Sequence, residues 1–184
     1  MPVSIRAATH GDIPALERLI PTSARALSRG CYSEQEIESA IRYVFGVDSQ
    51  LIVDRTYFVA ALGDEIVGCG GWSWRPTLYG GDQRPMGTGA LLDPAVDAAR
   101  IRAFFVATGH ARQGIGGRIL MACERAALAK GFSRLELMST LPGVPFYSRF
   151  GFQELERVVD TLPDRTRIEF VRMARPIWEG AGSD

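Results

Sequence analysis

The fold is decided by residues 101–117, which read IRAFFVATGHARQGIGG. The first six of these residues are mostly apolar and include two aromatics, which favours a buried β-strand. From Ile115 to Ala127 apolar residues recur about every four positions, which predicts an amphipathic helix, and Gly131 is suited to end it. A glycine-rich turn therefore joins a strand to a helix.

This turn is suited to binding an anion. The first backbone N–H groups of a helix have no partner within the helix, and the helix dipole adds partial positive charge there. Gly114, Gly116 and Gly117 present no side chain that would keep an anion from these donors, and Arg112 adds a cation at the mouth of the turn. A glycine-rich turn without any ligand is the alternative that the turn alone leaves open.

Composition limits the kinds of partner. At 184 residues the chain has about the length of one domain, which we predict to span residues 1–175, with a tail at 176–184. Lysine plus arginine and aspartate plus glutamate number 21 each, so charge gives no attraction to nucleic acid or to a membrane surface. Three widely spaced cysteines argue against a disulfide framework and a zinc site, so we expect no metal and a cytoplasmic location. We also expect no signal peptide and no membrane span, since no apolar run reaches about eighteen residues.

Strands and helices alternate along the chain. We predict a first strand near residues 5–8, a helix capped by Asp12 that Pro21 kinks or ends, and a second helix opened by a capping box of Ser33 and Glu36. The further predicted elements are strands at 57–62, 65–74, 134–139, 152–159 and 167–174 and a short helix at about 145–150. The order β-α-α-β-β-β-α-β-α-β-β predicts an α/β (α+β) fold, a mixed sheet of six to seven strands with helices on both faces.

Two stretches leave alternatives open. Gly68, Gly70 and Gly71 interrupt the strand at 65–74, and either a substrate channel or close packing would require them. Residues 75–100 carry few periodic apolar positions, and so long a connection indicates a binding loop, a mobile lid or an insertion.

A second landmark lies beyond the helix, where residues 145–152 read PFYSRFGF. Together with the strand that ends at Val106 and the turn at 113–116, this stretch resembles the GNAT acyltransferase superfamily. The resemblance implies a mostly antiparallel sheet and an enzyme that transfers an acetyl group from acetyl-coenzyme A to a primary amine, of a small molecule or a peptide, by direct attack. A non-catalytic domain that binds acyl-coenzyme A and regulates a partner protein is the alternative. The oligomeric state stays open, with a homodimer among the alternatives.

The resemblance assigns roles to particular residues. Tyr147 matches the acid that assists the departing sulfur, and the backbone N–H near Val106 would hold the carbonyl oxygen. Glu136 is the candidate general base, as a carboxylate in a strand beside the cleft, and a salt bridge with Arg102 or Arg134 is the alternative. The predicted cofactor-binding residues are Phe105, Val106, Arg112, Gln113, Gly114, Ile115, Gly116, Gly117, Thr140, Phe146 and Tyr147.

Two positions depart from the family pattern. Ala111 stands where the family usually has arginine or glutamine, so Arg112 and the backbone amides would have a larger share in binding the pyrophosphate. Thr140 stands where many members have asparagine, and its hydroxyl can still donate a hydrogen bond. For the base, Glu65, Asp82 and a water relay are further candidates.

Overall fold

Seven strands form one sheet in this computed structural model, which describes residues 2–84 and 89–177. The strand order is β1-β2-β3-β4-β5-β7-β6, in which β4 and β5 are parallel and the other neighbours are antiparallel. The predicted fold class is confirmed. The strands are β1 (Ser4–Ala7), β2 (Tyr57–Leu62), β3 (Glu65–Ser73), β4 (Ala99–Val106), β5 (Arg134–Thr140), β6 (Gln153–Thr161) and β7 (Arg167–Pro176). The helices are α1 (Ile13–Leu27), α2 (Glu34–Tyr43), α3 (Ser49–Val53), α4 (Ile115–Ala129) and α5 (Val144–Arg149).

The helices cover both faces of the sheet, as expected. On one face α4 buries Ile119 and Leu120 in a cluster with Val67 of β3 and Leu137 of β5. On the other face α1 and α3 bury a second cluster against β2 and β3, and α2 packs a third against β7. Each face removes apolar side chains from water, which is the main force that holds helices to a sheet. No helix among the described residues is long and apolar enough to cross a membrane.

Helix α1 differs from its prediction, because it continues through Pro21 instead of ending there. Proline removes one backbone donor from the helix interior. Next to Pro21 a side chain adds a hydrogen bond to the helix, because the Thr22 hydroxyl donates to the Arg18 carbonyl at 2.8 Å. The capping box of Ser33 and Glu36 is confirmed at the start of α2. The short helix α3 was not predicted.

Close packing explains the three glycines of β3. A Cβ atom at Gly68 would lie 2.9 Å from Ile115 on α4, and one at Gly71 would lie 2.9 Å from Leu51 on α3. A Cβ atom at Gly70 would lie 2.6 Å from the ring of Phe104. Real Cβ atoms do not approach this closely, so the strand needs glycine where it contacts both helix layers and the neighbouring strand.

The long connection between β3 and β4 has no helix or strand at residues 74–84 and 89–98. Its first part is nevertheless attached to the sheet and helices. The backbone N–H of Gly81 donates to Val44, and Arg84 forms an ion pair with Asp160 of β6 at 2.6 Å. At the other end of the chain, Ile177 is buried, so packing continues past residue 175. Residues 178–184 of the predicted tail lie outside the described residues.

Candidate active site

Strands β4 and β5 pair over only part of their length. Their register runs from Ala99 opposite Leu135 to Ile101 opposite Leu137, and the two strands then continue without pairing to each other. A β-bulge follows in β4, where two residues lie opposite Gly70 of β3 and Ala103 has a φ of 55°. A bulge bends its strand. The result is a gap between the C-terminal halves of β4 and β5, called here the splay.

The backbone of Val106 faces the splay. Ala107 donates a hydrogen bond to Val67 across the β3–β4 pair at 2.9 Å. Because hydrogen-bonded and non-bonded positions alternate in an antiparallel pair, the N–H and C=O of Val106, opposite Gly68, point away from β3. The carbonyl accepts a hydrogen bond at 2.8 Å from Ser23 of α1. Val106 therefore directs a backbone donor to the place where a reacting carbonyl could lie.

The glycine turn leads from the splay to the N-terminus of α4. Arg112 and Gly114 adopt left-handed backbone conformations, with φ of 63° and 78°. Arg112, Gln113 and Gly114 are exposed, and a Cβ atom at Gly114 would meet nothing within 4 Å. The turn that leads into this 15-residue helix is thus exposed, whereas Ile115 and Gly117 of its first turn are buried. An anion can approach the N-terminus from the side of Gly114 without displacing a side chain.

Two of the turn's glycines have a further role that the sequence did not indicate. A Cβ atom at Gly116 would lie 3.0 Å from the ring of Phe146, and one at Gly117 would lie 2.7 Å from the ring of Phe150. Phe146 belongs to α5, and Phe150 directly follows its last residue. The absence of side chains at 116 and 117 therefore lets α5 pack directly on the first turn of α4.

This packing holds Tyr147 of α5 beside the splay. Its ring makes edge contacts with Phe104 of β4, Phe146 and Phe152, with centroids 6.3, 5.0 and 5.6 Å apart. Burial raises the pKa of the Tyr147 phenol, and the neighbouring thiol of Cys123 adds to the rise. The phenol is consequently protonated throughout the neutral range and is available as a hydrogen-bond donor.

Glu136 lies where β4 and β5 are still paired. Its carboxylate contacts Arg100 at 2.8 Å and Arg172 of β7 at 3.0 Å. The alternative of a salt bridge is thus confirmed, but its predicted partners, Arg102 and Arg134, were wrong. The parallel register places Arg100 directly opposite Glu136, a detail that depends on strand pairing. The assignment of Glu136 as the base stays a prediction.

The other candidate groups occupy separate positions. Thr140 ends β5 at the open end of the splay, half-buried. Asp82 accepts hydrogen bonds from the backbone and hydroxyl of Ser49 at 2.9 and 3.0 Å, so it anchors the long connection. Glu65 is exposed at the start of β3. Within residues 2–84 and 89–177 no three potential metal-ligating side chains cluster.

Sequence reasoning missed one group of side chains near the splay, which we call the aromatic wall: Phe45, Tyr79, Phe105 and Phe170. The ring of Phe45 lies 5.8 Å from that of Phe105 and 6.3 Å from that of Phe170, and Tyr79 lies 5.3 Å from Phe170. These residues come from four distant segments of the chain. No spacing in the sequence could have connected them.

The model of the acetyltransferase (GNAT) family matches residues 22–152, more than half of the chain. A GCN5-related N-acetyltransferase from Rhodopseudomonas palustris has a similar structure, with 17% identity, a TM-score of 0.70 and 96% of each chain covered. The PaiA N-acetyltransferase from Thermoplasma acidophilum, solved in complex with coenzyme A, has 16% identity and a TM-score of 0.64, covering 96% of this chain and 99% of its own.

A third structure is the ribosomal-protein-S18-alanine N-acetyltransferase from Escherichia coli, with 17% identity, a TM-score of 0.58, and 100% of this chain and 99% of that chain covered. Among curated proteins none matches the sequence. At these identities the likeness of the solved structures shows a common fold.

Proposed function

The chain belongs to the acetyltransferase (GNAT) family, and we propose that it is an N-acetyltransferase that transfers an acetyl group from acetyl-coenzyme A to a primary amine. One observation carries the proposal. The Val106 backbone faces the splay, the glycine turn connects β4 to the N-terminus of α4, and the ring of Tyr147 contacts Phe104 of β4. We infer that an anion site, a carbonyl site and a hydrogen-bond donor for the leaving group follow one another along this path.

The residues along this path fit coenzyme A. The free N–H groups at the start of α4, with the exposed side chains of Arg112 and Gln113, suit its pyrophosphate. The backbone of Phe105 and Val106 would hold the extended pantetheine arm as an additional strand in the splay, with Thr140 and Phe146 beside it. The remaining members of the proposed site are Gly114, Ile115, Gly116 and Gly117. When bound, acetyl-coenzyme A supplies the activated thioester carbonyl.

In the proposed reaction a bond forms between the amine nitrogen and the carbonyl carbon, and the carbon–sulfur bond breaks. Negative charge that develops on the carbonyl oxygen is stabilised by the Val106 N–H, and loss of one such donor typically costs about 10²–10³ in kcat. The sulfur leaves as a thiolate and then takes a proton from solvent. An ordinary tyrosine would give its proton to a thiolate uphill by about 2 kcal/mol, and burial of Tyr147 increases that cost. Tyr147 therefore acts by donating a hydrogen bond to the sulfur.

The attacking amine must lose a proton, and Glu136 is the group that we propose to receive it. Both of its carboxylate oxygens contact guanidinium groups, of Arg100 and Arg172. These contacts fix its position, and the proton would reach it through water. Replacement by the isosteric amide, Glu136→Gln, would then lower kcat by about 10²–10⁴, the usual contribution of a general base.

The test measures coenzyme A binding by calorimetry and free thiol release from acetyl-coenzyme A with a panel of primary amines. Binding together with amine-dependent release and an acetylated product supports the proposal. Binding without release for every amine would overturn it in favour of the non-catalytic regulatory domain. Absence of binding would overturn both.

We also propose a cytoplasmic location. Cys31, Cys69 and Cys123 are free thiols in the structure, which suits a reducing compartment. A membrane-impermeant thiol reagent checks this assignment. When it is added to unbroken cells, we expect it to leave the native chain unlabelled.

A further inference from the structure

The aromatic wall lies on the face of the sheet opposite Tyr147. Phe104 and Phe105 are neighbours in β4, and their side chains point to opposite faces. Phe104 contacts Tyr147 beneath α4 and α5, whereas Phe105 contacts Phe45, which follows α2. The splay thus has one face closed by the phenol and a second face bordered by the wall.

The wall spans the splay from one strand to the other. Phe105 belongs to β4, and the β5–β7 register places Phe170 opposite Thr140, the last residue of β5. Phe45 contacts both rings, so it bridges the two sides. Phe45, Tyr79 and Phe105 are half-buried, so each residue is partly accessible to solvent. A molecule that enters the splay from this face meets aromatic edges first.

Charges around the wall are compensated within the protein. Asp160 forms an ion pair with Arg84 at 2.6 Å and accepts a hydrogen bond from the Tyr79 hydroxyl at 2.9 Å. The Arg84 guanidinium also lies over the Tyr79 ring, 4.5 Å from its centre. Glu136 contacts two arginines in the same way. These carboxylates therefore offer little attraction to a polycationic acceptor.

We propose that the acceptor is a small primary amine that carries an aromatic ring, bound against the aromatic wall with its amino group directed into the splay. This inference rests on the proposed acetyltransferase activity. Aromatic rings attract one another in edge-to-face or offset geometries with centroids about 4.5–7 Å apart, and the members of the wall already meet at such distances. A ligand ring would cover the exposed parts of Phe45, Tyr79 and Phe105 and remove apolar surface from water.

The test compares three amines with acetyl-coenzyme A: 2-phenylethylamine, ethanolamine and 1,4-diaminobutane. We expect kcat/KM, from free thiol release, to be at least about tenfold higher for 2-phenylethylamine, the discrimination that one buried ring supplies. Equal or higher values for either of the other amines would overturn the aromatic acceptor and leave the acetyltransferase in place. If coenzyme A binds but none of the three amines causes thiol release, the proposed function is overturned and the inference with it.

A variant assigns the preference to the wall. Phe45→Ala is expected to raise the KM for 2-phenylethylamine about tenfold relative to that for ethanolamine. The matched control is Phe58→Ala, which truncates a half-buried phenylalanine on β2 that packs in the core under α4, and which should leave the ratio of the two KM values unchanged. If Phe45→Ala does not fold, Phe45→Leu removes the ring and keeps apolar volume. An unchanged KM ratio in the folded Phe45 variant would refute the role of the wall.

Discussion

The hydrogen bond between Ser23 and Val106 connects α1 to the strand that we propose to hold the substrate. The Ser23 hydroxyl donates to the Val106 carbonyl at 2.8 Å, between residues 83 positions apart. Ser23 is fully buried. Ser23→Ala removes only the hydroxyl, since alanine fits the same helix without added volume. The variant therefore tests what this one bond contributes to the position of the Val106 peptide.

The expected effect on stability follows from burial. Val106 is half-buried, so water can replace part of the lost bond; an ordinary hydrogen bond contributes about 0.5–1.5 kcal/mol, and the better helix propensity of alanine offsets roughly 0.5 kcal/mol of that. We expect the free energy of unfolding to fall by no more than about 1 kcal/mol, which for a chain of this length lowers Tm by no more than about 4 °C. The Val106 peptide would also be free to tilt. Full loss of such a donor costs about 10²–10³ in kcat, so a loosened one should cost about tenfold.

The assays are chemical denaturation and amine-dependent thiol release at saturating acetyl-coenzyme A, at a temperature where every variant is folded. Ser28→Ala is the control, because Ser28 is also buried and follows the last residue of α1. If both variants lose the same stability and keep the same kcat, the bond does not position Val106. A loss of stability in Ser23→Ala with kcat unchanged would limit Ser23 to a structural role.

Three further predictions concern the path along the splay. Tyr147→Phe should lower kcat about tenfold, and unchanged turnover in the variant would exclude Tyr147 from the reaction. Because burial raises the pKa of Tyr147, wild-type activity should also persist through pH 10, where an ordinary tyrosine ionises. Arg112→Ala should weaken coenzyme A binding about tenfold by calorimetry, with Arg118→Ala, on the exposed side of α4, as a control that binds normally; equal affinities would leave the site to the backbone amides. Gly116→Ala should raise the KM for acetyl-coenzyme A, since its Cβ would lie 3.0 Å from the ring of Phe146, whereas an equal KM would show that α5 can shift without consequence.

Local patterns predicted most of the elements, because each depends on residues that are close in sequence. The capping box at the start of α2 and the four-residue periodicity of α4 are examples, and both are confirmed. Helix α1 does not end at Pro21, since packing of α1 against the sheet outweighs the loss of one helical hydrogen bond. The short helix α3 escaped prediction because five residues are too few to show a period.

The details of the site that escaped prediction depend on strand register. Ala103 adopts a left-handed conformation at the bulge, although alanine gives no sequence signal for that conformation. The partners of Glu136 follow from its place opposite Arg100 in the parallel pair. The Ser23–Val106 bond likewise joins segments that only tertiary packing brings together. The sequence can indicate which residue types form such a site, whereas the contacts among them depend on how the strands pair in the sheet.

The two glycines at the start of α4 connect parts of the site that lie far apart in the chain. Gly116 and Gly117 let Phe146 and Phe150 reach the helix, and Tyr147 lies between those two rings in sequence. A side chain at either glycine must therefore displace the ring of Phe146 or Phe150, and we expect the displaced ring to disturb the proposed pyrophosphate site and the position of the phenol together. Gly114 has open space around it and a left-handed backbone, so a side chain there would strain the turn and leave α5 in place. The glycine pattern thus sets the distance between the proposed anion site and the Tyr147 phenol, in addition to access for the anion.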